Sequence, residues 1–418
     1  MKDSGFEWIG EIPIGWEVVP SNLFFYNSSQ KVKGDVEQLT ASQKYGVISQ
    51  SRFMELESQV PVQKQDLSDL KQVEKGDFVI SLRSFQGGIE IAQESGGITP
   101  AYTVLKERTN KTYADYYKYF FKSEMYIQAL RGTVLDTIRD GKAIRFSNFS
   151  MIPIILPPLE IQKKIVETID EKIVTINGII SDTQQSIEEL KKYKQSLITE
   201  VVTKGLDRNV EMKDSGIEWI GKTPKQWSLV KVNRLFEIKK TIANQTGYDV
   251  LSITQSGLKV KDISRNEGQM AQDYSKYQIV LPDDFAMNHM DLLTGWIDIA
   301  LQEGVTSPDY RVFSSKDSKV VSNEYYLYVF QICYMNRIFY GLGQGVSNVG
   351  RWRLQADKFL NLYLPLPSIK EQKEIVQFLN SKLVEINSMI EQKNDLLMEL
   401  ETYKKSIIYE YVTGKKEV

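Results

Sequence analysis

The sequence predicts an α+β protein. Two globular domains are separated by two long α-helices packed as an antiparallel coiled coil, the whole related by pseudo-twofold internal duplication. Three observations carry this reading. Met1 to Gly10 recurs as Met212 to Gly221 with one difference, Phe6 against Ile217. A heptad seam of alternating three- and four-residue steps runs through Val166, Ile169, Ile173, Ile176, Ile180, Thr183, Ile187, Leu190, Lys194, Leu197 and Val201. The same seam returns as Val376, Leu379, Leu383, Ile386, Ile390, Lys393, Leu397, Leu400, Lys404, Ile407 and Tyr411, with polar interruptions at the same two layers. Such a seam needs a partner helix, and the chain carries its own.

The boundaries follow from these markers: a first domain over 1–157, a first helix over 158–207, a second domain over 208–366 and a second helix over 367–418. Each domain opens on a repeated tryptophan pair, Trp8 and Trp16, then Trp219 and Trp227. Apolar runs such as Asp77–Leu82 and Trp296–Leu301, set between Gly, Pro and Asn, read as strands. Tyr113–Leu130 and Asn323–Tyr340 read as helices whose aromatics, at helical spacing, belong to the core rather than to a base-stacking platform. Pro157 and Pro158, then Pro365 and Pro367, precede the long helices and prevent their extension backwards. The frame and ends are thus duplicated with little change, whereas the middle of each domain differs. Two recognition domains with different tasks, held by two similar helices, fit that pattern.

Composition narrows the function classes. A single cysteine, Cys333, excludes an internal disulfide framework and fits a reducing cytoplasm. With His289 as the only histidine, the usual zinc ligand sets are out of reach, so no metal is expected. The longest apolar run, Met151–Leu159, is short and holds three prolines, and Met1–Gly5 lacks a signal-peptide core. A cytoplasmic protein without a membrane contact is expected. Net charge is −2, shared as −2 over Glu160–Asp207, −1 over Ser368–Val418 and +1 over the rest. Neutral domains of this kind would hold DNA weakly alone, because counterion release by Lys and Arg supplies much of the affinity. Helper subunits with positive surface are therefore expected of a DNA binder. A helix over Gln162–Val201 spans roughly 60 Å at 1.5 Å per residue. Two domains held by it could touch DNA at patches roughly one to two turns apart, a turn being roughly 34–36 Å.

The residues resemble a known family at several places in order, twice. These are the tryptophan-bearing openings, Ile98–Tyr102 and Thr306–Tyr310, the proline-led helix starts reaching Gln162–Ile165 and Gln372–Ile375, and the helix ends Tyr193–Glu200 and Tyr403–Glu410. The chain resembles a specificity subunit of a type I restriction–modification enzyme. One small departure is that Pro158 lies four residues before Gln162 while Pro367 lies five before Gln372. The resemblance implies that each globular domain is a target recognition domain reading one half of an asymmetric, bipartite site in double-stranded DNA. The helices would set the gap. It also implies two modification (methyltransferase) subunits and two restriction (translocase/endonuclease) subunits as partners. S-adenosylmethionine, ATP and Mg would belong to those partners, with no cofactor bound by this chain.

The residues agree with a non-catalytic role. No Asn-Pro-Pro-Tyr-type methyltransferase motif is present, since Pro157 follows Leu156, and there is no Walker loop. The glycines of Gly341–Gly345 lack the frame of a nucleotide fingerprint. Base reading needs side chains that reach base edges, and phosphate contact needs Lys, Arg and backbone amides. Polar loops where the repeats diverge supply Arg83, Ser84, Gln86, Arg139, Lys142 and Arg145 in the first domain. The second supplies Asn288, His289, Gln344, Ser347, Asn348, Arg351 and Arg353. Lys31, Lys33, Lys239 and Lys240 are candidates for the DNA backbone. The competing reading is a coiled-coil scaffold that binds proteins only; for any one of these residues a solvated surface charge is the plain alternative.

Overall fold

A computed structural model of the 418-residue chain describes residues 1–57, 68–82, 84–133, 144–262, 273–344 and 352–418. The chain forms two compact units, Met1–Gln184 with Asn394–Val418, and Gln185–Lys393. Each unit therefore takes one globular domain, half of the first long helix and half of the second.

Each unit holds its own four-stranded sheet, and the strand order is the same in both. In unit 1 four antiparallel strands lie in the order Phe25–Ser28, Thr103–Glu107, Phe78–Ile80, Glu90–Ile91. In unit 2 the order is Phe236–Lys239, Arg311–Ser315, Phe285–Met287, Ile297–Ile299. Registers match, with Thr103 opposite Ile80 and Arg311 opposite Met287. Each domain is closed by pairing its early strand with the one before the long helix: Glu17–Pro20 with Pro153–Leu156, and Ser228–Lys231 with Tyr363–Leu366. The strand runs expected at Asp77–Leu82 and Trp296–Leu301 are thus present, shorter by a few residues at their ends.

The tyrosine-rich segments pack as core. Tyr116, Tyr117, Phe120 and Phe121 are fully buried on the helix Ala114–Lys122, and Tyr325, Tyr326 and Phe330 on Asn323–Met335. Neither segment is one helix, however. Ser123 takes an extended conformation and its hydroxyl accepts from the Tyr126 N–H, starting a second helix, Glu124–Gly132. Arg337, in the left-handed region at φ 57°, separates Asn323–Met335 from Ile338–Leu342. A side-chain cap outcompetes helix continuation in the first case.

The long helices run Leu159–Lys204 and Ile369–Val412. Each starts right after its proline stop and ends at a glycine in the left-handed region, Gly205 (φ 76°) or Gly414 (φ 69°). A side chain at Gly414 would collide with Pro13 and come within 2.8 Å of Trp16, so the repeated tryptophan closes over the helix end. Every seam position is buried or half-buried. In unit 1 Val166, Ile169 and Ile176 share a core with Ile407 and Tyr411. In unit 2 Val201 shares one with Val376, Leu379, Leu383 and Ile386. Inside each unit, therefore, the start of one helix lies with the end of the other, the antiparallel arrangement. The lysine layers are hydrogen-bonded: Lys194 Nζ donates to Asn387 Oδ1 at 2.8 Å in unit 2, and Lys404 Nζ to Asn177 Oδ1 at 2.9 Å in unit 1.

Matching bonds anchor the helices in both units. Gln162, fully buried, accepts from the Tyr113 N–H (2.8 Å) and donates to the carbonyls of Lys111 (2.9 Å) and Pro157 (2.8 Å). Gln372 does the same with Ser322, Val320 and Pro367 at 2.8, 2.9 and 3.0 Å. The far end of the other helix is held by a tyrosine: Tyr116 donates to the Val412 carbonyl and Tyr325 to that of Val202, both at 2.8 Å. No helix among the described residues is long and apolar enough to cross a membrane.

Candidate nucleic-acid interface

In unit 2 the loop after the strand Phe285–Met287 meets Leu354, next to the paired Gln344 and Arg353. The Gln344 and Arg353 backbones pair in both directions, at 3.0 and 3.1 Å. The next residue, Leu354, is buried and donates its N–H to the His289 carbonyl at 2.9 Å. Asn288 is held from below, its carbonyl accepting from the Tyr334 hydroxyl at 2.8 Å. Asn288, His289, Gln344 and Arg353, far apart in sequence, are thus brought together. The side chains of Gln344 and Arg353 are exposed; those of Asn288 and His289 are half-buried.

The electrostatics of this cluster are one-sided. Burial, then the nearby guanidiniums of Arg311 and Arg353, push the His289 imidazole down to about 4. It is therefore neutral at neutral pH and can act only through neutral hydrogen bonding. Arg311 is 5% exposed, and its Nη2 donates to the Leu354 carbonyl at 2.9 Å. Burial lowers this guanidinium to about 10, which leaves it charged at neutral pH. Beside Asn288 lies a cleft of about 260 Å³ lined also by Ser252, Tyr277, Ser307 and Tyr310. Ser307 and Tyr310 come from the Thr306–Tyr310 segment, so that motif lines the loop end of the sheet. Two larger clefts of unit 2, about 940 and 820 Å³, flank Trp219 and share no residue with the cluster of Asn288, His289, Gln344 and Arg353. Side-chain chemistry, not volume, singles out the smaller one.

The remaining candidates fall into three groups. Lys33, Gln86, Arg145 and Lys240 are exposed. The Gln86 carbonyl accepts from Arg131 Nη2 at 3.4 Å, and Arg145 immediately precedes the short helix Phe146–Ser150. A second group is committed to local structure. Ser84 is 1% exposed and its hydroxyl accepts from the Ser81 N–H at 2.8 Å. Lys239 pairs with the buried Asp284 at 2.6 Å, and Lys31 with the exposed Asp69 at 2.7 Å. Arg83, Arg139, Lys142, Ser347, Asn348 and Arg351 lie outside the described residues. Arg311 was not singled out by sequence, although one signal was there: the matching strand position of unit 1 holds Thr103. Among the described residues no group of His, Cys, Asp and Glu could hold a metal ion.

The family described as the type I restriction modification DNA specificity domain matches residues 13–189 and again 224–399. The chain belongs to this family. The doubled match coincides with the two globular domains and most of each long helix. Among curated relatives, the MjaVIII specificity subunit of Methanocaldococcus jannaschii is 27% identical over 348 residues, covering 79% of this chain and 76% of that one. The EcoBI specificity subunit of Escherichia coli is 23% identical over 323 residues, covering 72% and 66%. A chain from a solved type I restriction–modification system superposes with TM-score 0.67 at 13% identity, over 97% of this chain and all of the other. The HsdS subunit from Thermoanaerobacter tengcongensis gives 0.56 at 13% identity, over the whole of both chains. At that identity the likeness establishes the fold of this specificity-family member, and the loops are its own.

Proposed function

We propose that this chain is the DNA-reading subunit of a type I restriction–modification complex, each unit reading one half of a bipartite, asymmetric site. The observation that carries the reading is the contrast between frame and loops. Sheet order, Gln162 and Gln372, and the Tyr116 and Tyr325 clamps repeat between units. The loop ends of the sheets do not, with Arg311 and His289 in unit 2 where unit 1 has Thr103 and Leu82. A frame kept twice with different loops suits one geometric task and two chemical ones. The helices serve as the spacer that sets the gap. The exposed Gln344 and Arg353 are suited to base edges, Arg towards guanine and Gln towards adenine. Lys33, Arg145 and Lys240 are suited to phosphates.

Two modification subunits supply S-adenosylmethionine chemistry and two restriction subunits supply ATP- and Mg-dependent translocation and cleavage; this chain itself carries none. Its net charge of −2 calls for basic partners to complete the DNA grip. Co-expression with a modification subunit, followed by mapping of methylated bases in the host DNA, tests the reading. One bipartite motif with a fixed gap is expected. A continuous motif, or no methylation by an assembled complex, would overturn it in favour of a protein-only scaffold.

A further inference from the structure

We propose that Arg311 is a positioning residue for the second half-site: by holding Leu354 it fixes the paired Gln344 and Arg353 and so sets where their side chains meet the DNA. This rests on the reading of unit 2 as a DNA reader. The side chain is 5% exposed and starts the strand Arg311–Ser315. Its Nη2 donates to the Leu354 carbonyl at 2.9 Å, and its guanidinium carbon lies 5.0 Å from the centre of the Phe359 ring. Leu354 is thereby fixed at both backbone groups, its N–H on the His289 carbonyl at 2.9 Å and its carbonyl on Arg311. Leu354 directly follows Arg353, so Arg353 and its backbone partner Gln344 inherit this anchorage.

Stability alone does not account for an arginine here. Its Nη1 has no hydrogen-bond partner among the described residues, and no carboxylate there pairs with it. A buried cation without a counter-charge is a poor stabiliser, and an apolar residue of similar volume would serve the core better. Unit 1 builds the same sheet with Thr103 at this position. Loops that read bases must be held within about 0.5 Å of their working geometry by such supporting contacts. A rigid, five-donor fork bonded to the Leu354 carbonyl supplies one.

The test uses Arg311→Thr, the residue unit 1 carries, in the full complex. Methylated-base maps should show roughly tenfold relaxed discrimination in one half of the motif, with the other half and the gap unchanged. The salt dependence of DNA binding should stay the same, because no phosphate contact is removed. Amide exchange at Arg353 and Leu354, whose N–H groups are bonded to Gln344 and His289, should rise while the rest of the sheet is unaltered. Should this variant not assemble, Arg311→Lys, which keeps a donor and the charge but not the fork, should show a weaker version of the same relaxation. An unchanged motif, or unchanged exchange at Arg353 and Leu354, overturns the positioning role while leaving the DNA-reading proposal intact. Absence of a bipartite motif in the wild-type complex would instead remove the reading on which it rests.

Discussion

Gln162→Leu should destabilise unit 1 by about 3–5 kcal/mol, an effect larger than most single substitutions. The replacement keeps the volume but strips the Tyr113 N–H and the carbonyls of Lys111 and Pro157 of their partner. Each orphaned buried group costs about 1–3 kcal/mol, and local relaxation trims the sum. The effect should be seen as early urea unfolding together with fast amide exchange at Tyr113 and the first turns of the helix. Lys163→Ala, one residue on, should stay within about 0.5 kcal/mol, because that side chain is solvent-facing and paired only with Glu160. Equal effects of the two substitutions would show that the glutamine does not anchor the helix. Because the same three bonds recur at Gln372, the same experiment can be repeated in unit 2.

Lys122→Met should cost about 3 kcal/mol near neutral pH, for a different reason. Its ammonium lies 2.6 Å from the Glu90 carboxylate, which is 2% exposed. Removing the cation leaves a buried carboxylate unpaired, whereas removing both charges is close to neutral. Glu90→Gln in the same chain should therefore recover most of the loss. The pH dependence has a definite sign. Burial holds the Glu90 carboxyl above its ordinary value near 4.5, against the pull of Lys122. The folded state thus keeps a proton that the unfolded state has released, and this group's contribution to stability falls as pH rises through that interval. Without Lys122 the interval widens upwards. The Lys122→Met defect should accordingly shrink as pH is lowered towards 5, and a defect independent of pH would refute the buried-carboxylate explanation. Unit 2 avoids the problem: at the matching strand position Asp298 accepts from the Leu258 N–H at 2.8 Å and needs no lysine.

These two residues show what a sequence can and cannot carry. Heptad spacing, proline stops and the doubled opening are local or repetitive patterns, so the long helices and the duplication were legible directly. So was the core role of Tyr116, Tyr117, Tyr325 and Tyr326, whose spacing is helical. Gln162 and Gln372 stood out only as part of a repeated motif. Two of the three partners of each lie about fifty residues earlier in the chain, and no periodicity reports such a bond. The Tyr116 bond to Val412 spans 296 residues and became readable only once the strands and helices were assembled. Arg311 escaped notice because a charged residue in a strand ordinarily faces solvent; its burial follows from the Leu354 carbonyl and Phe359, both more than forty residues later. Of the polar loop residues, Ser84 and Lys239 turn out to be engaged in holding their own loops. The capping and pairing preferences of Ser and Lys are the same whether the acceptor is protein or DNA, so residue type alone does not separate the two uses.

The central claim is that two readers are held by two helices, each unit gripping the start of its own helix and the end of the other. Lengthening both helices together tests it most directly. Seven residues inserted after Gln184 and seven after Lys393 keep both seams in phase and add roughly 10 Å to each helix. Methylated-base mapping should then return both half-site sequences unchanged, with a gap lengthened by up to about three base pairs at 3.4 Å each. An unchanged gap, or altered half-site sequences, would contradict the claim.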